Sequence, residues 1–161
     1  MGTSAFFLVQ RNSKIKLEKL IEDFRGICKK NEFYISSIPI NSQSENIIKH
    51  VSIGIALVEQ VDIYEVSTND VLIDLYEEPY QYQYHCFSWY DEKIDFFNSA
   101  IIDEVYNNEE ITLALSYEIL KLYPEMKIWI EEDWFYTLKD IEKILNRPYD
   151  NEWCYKNPLD L

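Results

Sequence analysis

The chain has 161 residues, of which 47% are hydrophobic and 27% charged, and its 29 acidic and 15 basic residues give a net charge of −14. This composition predicts a single globular domain over residues 1–161. The negative charge argues against direct binding to nucleic acid or to an anionic membrane, because phosphate would be repelled. Three cysteines, no secretory pattern and no apolar run of membrane-spanning length favour a reduced, cytoplasmic protein.

The charge is unevenly distributed along the chain. Residues 1–50 hold eight bases and five acids, a net of +3, whereas residues 51–161 hold seven bases and 24 acids, a net of −17. Such a surface attracts a basic protein partner and can accelerate association by about 10- to 1000-fold. The alternative is that the acidic surface only maintains solubility.

The first half of the chain predicts a strand, a helix and several further strands. Ala5–Gln10 is an apolar run typical of a buried strand, and residues 14–30 have apolar residues at helical spacing with Ser13 as the candidate N-cap. Residues 33–37 predict a second strand, 39–45 a polar loop, and 47–58 either a strand or a helix, with strand favoured by the β-branched content. Residues 62–67 and 71–76 predict a hairpin.

The second half predicts a central strand and then mostly helix. Residues 80–90 alternate strictly, as a strand does. The spacing of Ile94, Phe97, Ile101 and Val105 predicts a helix over 93–106. We expect a buried helix over 109–123, a short strand over 127–130, and a last helix opened by a capping box at Thr137. The tail, 149–161, should be irregular and pack through two aromatic residues. Inward positions of the last helix and the tail anchors are Leu138, Ile141, Ile144, Leu145, Trp153 and Tyr155.

These elements predict the α/β (α+β) class, with a mixed or mostly antiparallel sheet of five to six strands covered by about four helices. Three scattered glycines exclude phosphate-binding loops, and no zinc or calcium ligand pattern is present. His85 and Cys86 point to opposite faces of their predicted strand and could not act together. The sequence therefore predicts no catalytic residue, no metal and no cofactor.

Acidic residues interleaved with aromatic ones form the candidate partner-binding surface, because carboxylates attract Lys and Arg while Tyr and Trp supply contact area. The candidate residues are Glu77, Glu78, Tyr80, Asp91, Glu92, Glu131, Glu132, Asp133 and Trp134. The alternative is that the aromatics fill the core and that residues 131–133 form a solvated acidic turn.

The stretch from residue 109 to 144 resembles the C-terminal part of bacterial immunity proteins, through its apolar helix, Tyr123-Pro124, the run Trp129-Ile-Glu-Glu-Asp-Trp-Phe-Tyr and a capped helix. The resemblance implies a cytoplasmic inhibitor that blocks a toxin, commonly a basic nuclease, and carries no functional residue across. Three alternatives stay open: a nucleic-acid mimic that inhibits a host or phage defence protein, a carboxylate-dependent hydrolase, and an adaptor within a larger assembly.

Overall fold

The computed structural model describes residues 2–11, 13–37, 50–57, 70–78 and 96–161. These residues form one seven-stranded sheet in the order β2-β3-β4-β5-β1-β6-β7, and every paired strand is antiparallel. The strands are β1 Ala5–Gln10, β2 Tyr34–Ser37, β3 His50–Ala56, β4 Asp70–Tyr76, β5 Phe96–Ile102, β6 Lys127–Trp129 and β7 Phe135–Tyr136, and the helices are α1 Leu17–Asn31, α2 Glu109–Leu122 and α3 Leu138–Leu145. The predicted mixed class is confirmed, but the predicted counts of five to six strands and about four helices are not. The described part of the chain has seven strands and three α-helices.

Much of the core lies between the sheet and the helices. Alternate residues of β3 and β4 point into it, and Ile53 lies opposite Ile73 with both side chains fully buried. Helix α1 lies against β2, β3 and β4, and α2 contacts both α1 and α3. Each fully buried aliphatic side chain stabilises this arrangement by about 1.5–3 kcal/mol, so the layered packing accounts for much of the driving force for folding.

The start of α1 differs from the predicted one. The helix begins at Leu17, and its N-cap residue is Lys16, so the prediction of Ser13 as the cap is wrong. The first free backbone N–H of the helix is satisfied from β4 instead, because the carboxylate of Glu77 accepts the Leu17 N–H at 2.9 Å. A distant carboxylate thus performs the role that a local Ser or Asp usually has.

Residues 96–102 form strand β5, so the predicted helix over 93–106 is wrong. This strand pairs with β1 on one side and β4 on the other, in the middle of the sheet. Four consecutive residues, 97–100, are buried, so both faces of the strand are covered. A strand buried on both faces has no alternation of apolar and polar residues, and its spacing can match that of a helix.

The remaining predictions have mixed outcomes. The strand over part of 47–58, the buried helix α2, the strand β6 and the capping box of α3 are confirmed. Leu145, predicted to point inward, is 42% exposed because it lies in the last turn of α3. The predicted segments 39–45, 62–67 and 80–90 lie outside the described residues. The second strand of the predicted hairpin, 71–76, is β4, and its two neighbours in the sheet are β3 and β5.

Candidate functional site

The acidic run Glu131, Glu132 and Asp133 forms the turn between β6 and β7, and all three residues are exposed. The turn is tight: Glu131 adopts a left-handed backbone conformation with φ 53°, which few residues other than glycine take up. Ile130 and Tyr136 on either side of it are fully buried. The two ends are therefore anchored in the core while the three carboxylates face solvent.

Two tryptophans hold this turn in place. The indole N–H of Trp129 donates to the backbone carbonyl of Glu132 at 2.7 Å, and the indole N–H of Trp134 donates to the hydroxyl of Tyr136 at 2.9 Å. The side chain of Trp134 is half-buried and packs against the core. A turn whose backbone is fixed in this way needs little further backbone ordering when it binds a partner, which lowers the entropic cost of binding.

A hydrogen-bonded aromatic network connects the turn to the start of α2. The Tyr136 hydroxyl donates to the carbonyl of Lys156 at 2.7 Å, and the Tyr136 ring meets the Trp153 ring edge to face at 5.5 Å. The Trp153 indole N–H in turn donates to the carbonyl of Glu109 at 3.0 Å. Burial raises the pKa of Tyr136 to about 12, and the nearby charge of Glu132 acts in the same direction.

A second group of acids surrounds the N-terminal end of α2. Glu109 and Glu110 occupy the first turn of the helix, where negative charge interacts favourably with the helix dipole. Partial burial raises the pKa of the Tyr149 phenol, and the charges of Glu110 and Glu109 raise it further. Tyr149 and both glutamates line one small cavity at this end of α2. Tyr149 is nevertheless 54% exposed. It therefore offers an aromatic surface among carboxylates.

The C-terminal segment adds two further acids. Asp150 and Glu152 lie just before the short 3₁₀ turn that contains Trp153, and Lys156 forms ion pairs with them at 2.5 and 3.6 Å. We call the resulting surface the acidic end. It is made of Glu109, Glu110, Glu131, Glu132, Asp133, Asp150 and Glu152.

The predicted binding residues separate into four groups. Glu131, Glu132, Asp133 and Trp134 lie together on the turn. Glu78 is half-buried after β4, and Tyr80, Asp91 and Glu92 lie outside the described residues. Glu77 was predicted to lie on the binding surface, but it is only 8% exposed. Its carboxylate contacts Lys16 and the backbone N–H at the start of α1. We therefore leave it out of the candidate site.

The acids at residues 109, 110, 150 and 152 were not among the predicted binding residues. The available signal was Glu-Glu at the start of the predicted helix and the run Tyr149-Asp150-Asn-Glu152, which again combines acids with an aromatic residue. Their grouping depends on the contact of Trp153 with Glu109, which joins positions 44 residues apart.

One polar cluster on the sheet invites comparison with a catalytic triad. The Asp74 carboxylate accepts from Ser52 and lies 3.0 Å from Nε2 of His50, and the His50 ring stacks on Tyr76. In a nucleophilic triad the histidine stands between the hydroxyl and the carboxylate. Here the carboxylate stands between the other two, which is not the order of a nucleophilic triad.

The described part of the chain has neither a group of metal-ligating side chains nor a membrane-spanning helix. Its His, Cys, Asp and Glu side chains form no group of three or more that could hold a metal ion. Its helices include none that is both long and apolar enough to cross a bilayer. Neither protein-family models, nor curated proteins, nor solved structures match this chain.

Proposed function

We propose that this protein is a non-enzymatic binding protein of the toxin-immunity or inhibitor class, which neutralises a basic partner by covering its cationic active site. The observation that carries the proposal is the turn 131–133, whose three acidic side chains are exposed. Its backbone is anchored by the buried Ile130 and Tyr136 on either side. The Trp129 indole also holds it, by donating to the Glu132 carbonyl. A basic nuclease or similar toxin is the partner of complementary chemistry, since its active site must attract phosphate.

The mechanism is occlusion. Carboxylates of the acidic end take the positions that substrate phosphates would occupy, and they form charge-assisted hydrogen bonds with Arg and Lys side chains of the partner. Tyr149 and Trp134 contribute contact area close to those charges, as aromatic residues do at the centres of many interfaces. The strong negative charge of the chain accelerates the encounter, and salt should weaken it.

Partner capture from a lysate of the native organism tests the proposal, with wild type and a neutralised variant as parallel baits. The variant is Glu131→Gln/Glu132→Gln/Asp133→Asn. The matched control, Glu18→Gln/Glu125→Gln/Glu142→Gln, changes the net charge equally at exposed acids of other elements. We expect wild type and the control to retain a basic protein at low salt, and the turn variant to bind it about 10-fold more weakly or worse.

A captured partner must also lose its activity when wild type is added, with the control inhibiting equally and the turn variant inhibiting less. Equal capture and inhibition by all three baits would remove the turn from the interface. If wild type captures no basic protein at low salt, that result would contradict the proposed class of function.

A further inference from the structure

A groove of about 390 Å³ lies between α1 and α2, away from the acidic end. Two polar contacts cross it: the Tyr123 hydroxyl donates to Asp23 at 2.5 Å, and Lys30 pairs with Glu118 at 3.1 Å. Because the later residue of α1 meets the earlier residue of α2, the two helices run in opposite directions. Leu122, at the end of α2, lines the groove and is 51% exposed.

Gly26 lies in the middle of this groove, on the exposed side of α1. A Cβ built at this position would meet no heavy atom of the described residues within 4 Å, and the backbone is ordinary helix. Glycine is unfavourable inside a helix compared with alanine, and here neither crowding nor a left-handed φ explains it. The missing side chain leaves room for another molecule to approach the helix backbone closely.

The residues four positions before and after Gly26 carry opposite charges. Glu22, Gly26 and Lys30 are spaced four residues apart, so they follow one stripe of α1, and all three are exposed and line the groove. The stripe has a negative end, a small centre and a positive end. Turned by 180° about its centre, it is complementary to itself, as the contact surface of a two-fold symmetric dimer must be.

We propose that the protein forms a homodimer in which the α1 helices of two copies pack antiparallel across a two-fold axis at Gly26. Glu22 of each copy then faces Lys30 of the other, and the absence of a side chain at Gly26 allows the two backbones to approach. The exposed Leu122 side chains become covered by the second copy. Lys30 can reorient toward the second copy, because Glu118 keeps Lys121 as a partner at 2.9 Å.

The charge of α1 suits it to contact between two copies. Two copies with a charge of −14 each repel one another, and the acidic excess lies in residues 51–161. Helix α1 carries four bases, Lys19, Arg25, Lys29 and Lys30, and three acids, Glu18, Glu22 and Asp23, a net of +1. Contact through α1 leaves the acidic end free in both copies, so this inference does not rest on the proposed function.

Sedimentation velocity over a range of protein concentrations tests the dimer. We expect the molar mass of wild type to rise with concentration from 19.4 kDa toward twice that value. Gly26→Leu should stay folded, because its Cβ meets open space within its own chain, and it should weaken dimerisation by about 10-fold or more. The control is Arg25→Leu, which places the same side chain at the neighbouring exposed position, outside the groove lining. It should dimerise as wild type does.

A charge exchange then tests the antiparallel register. Glu22→Lys makes both ends of the stripe positive, and Lys30→Glu makes both negative, so each variant alone should be monomeric. An equimolar mixture should form the dimer, since every end then meets its opposite. A wild type that stays monomeric at every concentration, a Gly26→Leu variant that dimerises fully, or a mixture that remains monomeric would each overturn the proposal.

Discussion

Glu77, one residue past the end of β4, accepts the backbone N–H of Leu17 at 2.9 Å, across 60 residues of sequence. The same carboxylate lies 3.3 Å from the ammonium group of Lys16. Helix α1 therefore begins next to the negative charge of the residue that follows β4. The contact satisfies an N–H group that would otherwise be left without a partner at the helix start, and it complements the positive end of the helix dipole.

Removal of this carboxylate should destabilise the protein. Glu77→Ala leaves the Leu17 N–H in a buried position without its acceptor, and we expect a loss of about 1–3 kcal/mol in the free energy of unfolding. Glu77→Gln keeps an acceptor oxygen and should lose less. Urea denaturation of the three proteins measures the order, and an alanine variant as stable as wild type would contradict the capping role.

The capping box of α3 should contribute a smaller, local stabilisation. The Thr137 hydroxyl accepts the Asp140 backbone N–H, and the Asp140 carboxylate accepts the Thr137 backbone N–H at 2.9 Å. Thr137→Ala should lower the free energy of unfolding by about 1 kcal/mol. Thermal denaturation measures the change, with Lys139→Ala, at an exposed position of the same turn, as the control. If both variants lose the same stability, the box is not its source.

The protein should lose stability in alkali. Burial raises the pKa of Tyr136 to about 12, and burial also raises the pKa of Tyr123 and Tyr155 above their usual value. A phenol whose pKa is higher in the folded state stabilises the fold fully below pH 10, and this contribution disappears as the pH rises through the folded pKa. The free energy of unfolding should therefore fall between about pH 10 and pH 12.

Tyr136→Phe separates this effect from general alkaline damage. The variant should be less stable at neutral pH, because the hydroxyl loses its bond to Lys156, yet its stability should decline less steeply in alkali. Urea unfolding at a series of pH values measures both quantities, and Tyr106→Phe, at a residue 60% exposed, is the control. A slope equal to that of wild type would contradict the assignment to Tyr136.

Two thiols should be unreactive in the folded protein. Cys28 and Cys154 are buried, and burial raises the pKa of the first to about 11 and of the second to about 12. Because the thiolate is the reactive form, a thiol reagent at about pH 8 should label neither residue. The third cysteine, Cys86, is removed by Cys86→Ser so that only these two are counted. We expect no labelled thiol before unfolding and two after it; rapid labelling of the native protein would contradict the burial.

The sequence predicted most elements because their periodicity matched their surroundings. Helix α1 has one apolar and one polar face, and α2 is apolar nearly all round, so both were recognisable. Strand β5 was not, since coverage on both sides removes the alternation that distinguishes a strand from a helix. The cap of α1 was also missed, because its acceptor comes from a different strand.

The candidate site divides in the same way. The acidic turn 131–133 was predicted because its residues are adjacent in sequence and lie beside aromatic ones. Its connection to Glu109 was not predicted, because it passes through Tyr136 and Trp153, which the fold brings together from two distant segments. The prediction that Glu77 lies on the surface was wrong, because the residues next to it in sequence give no sign that α1 packs against it.

By itself the sequence determined the mixed α/β class, the large negative charge, the lack of phosphate-loop and metal-ligand patterns, and the position of the acidic turn. These properties depend on composition and on local spacing, which do not change with the tertiary contacts that the chain makes. Tertiary structure alone decided the strand order, the central place of β5, the capping of α1 by Glu77, and the meeting of the acids at positions 109–110 with those at 150–152. Each of these joins residues far apart in sequence, and the packing of helices on the sheet selects such contacts because it buries the most apolar surface.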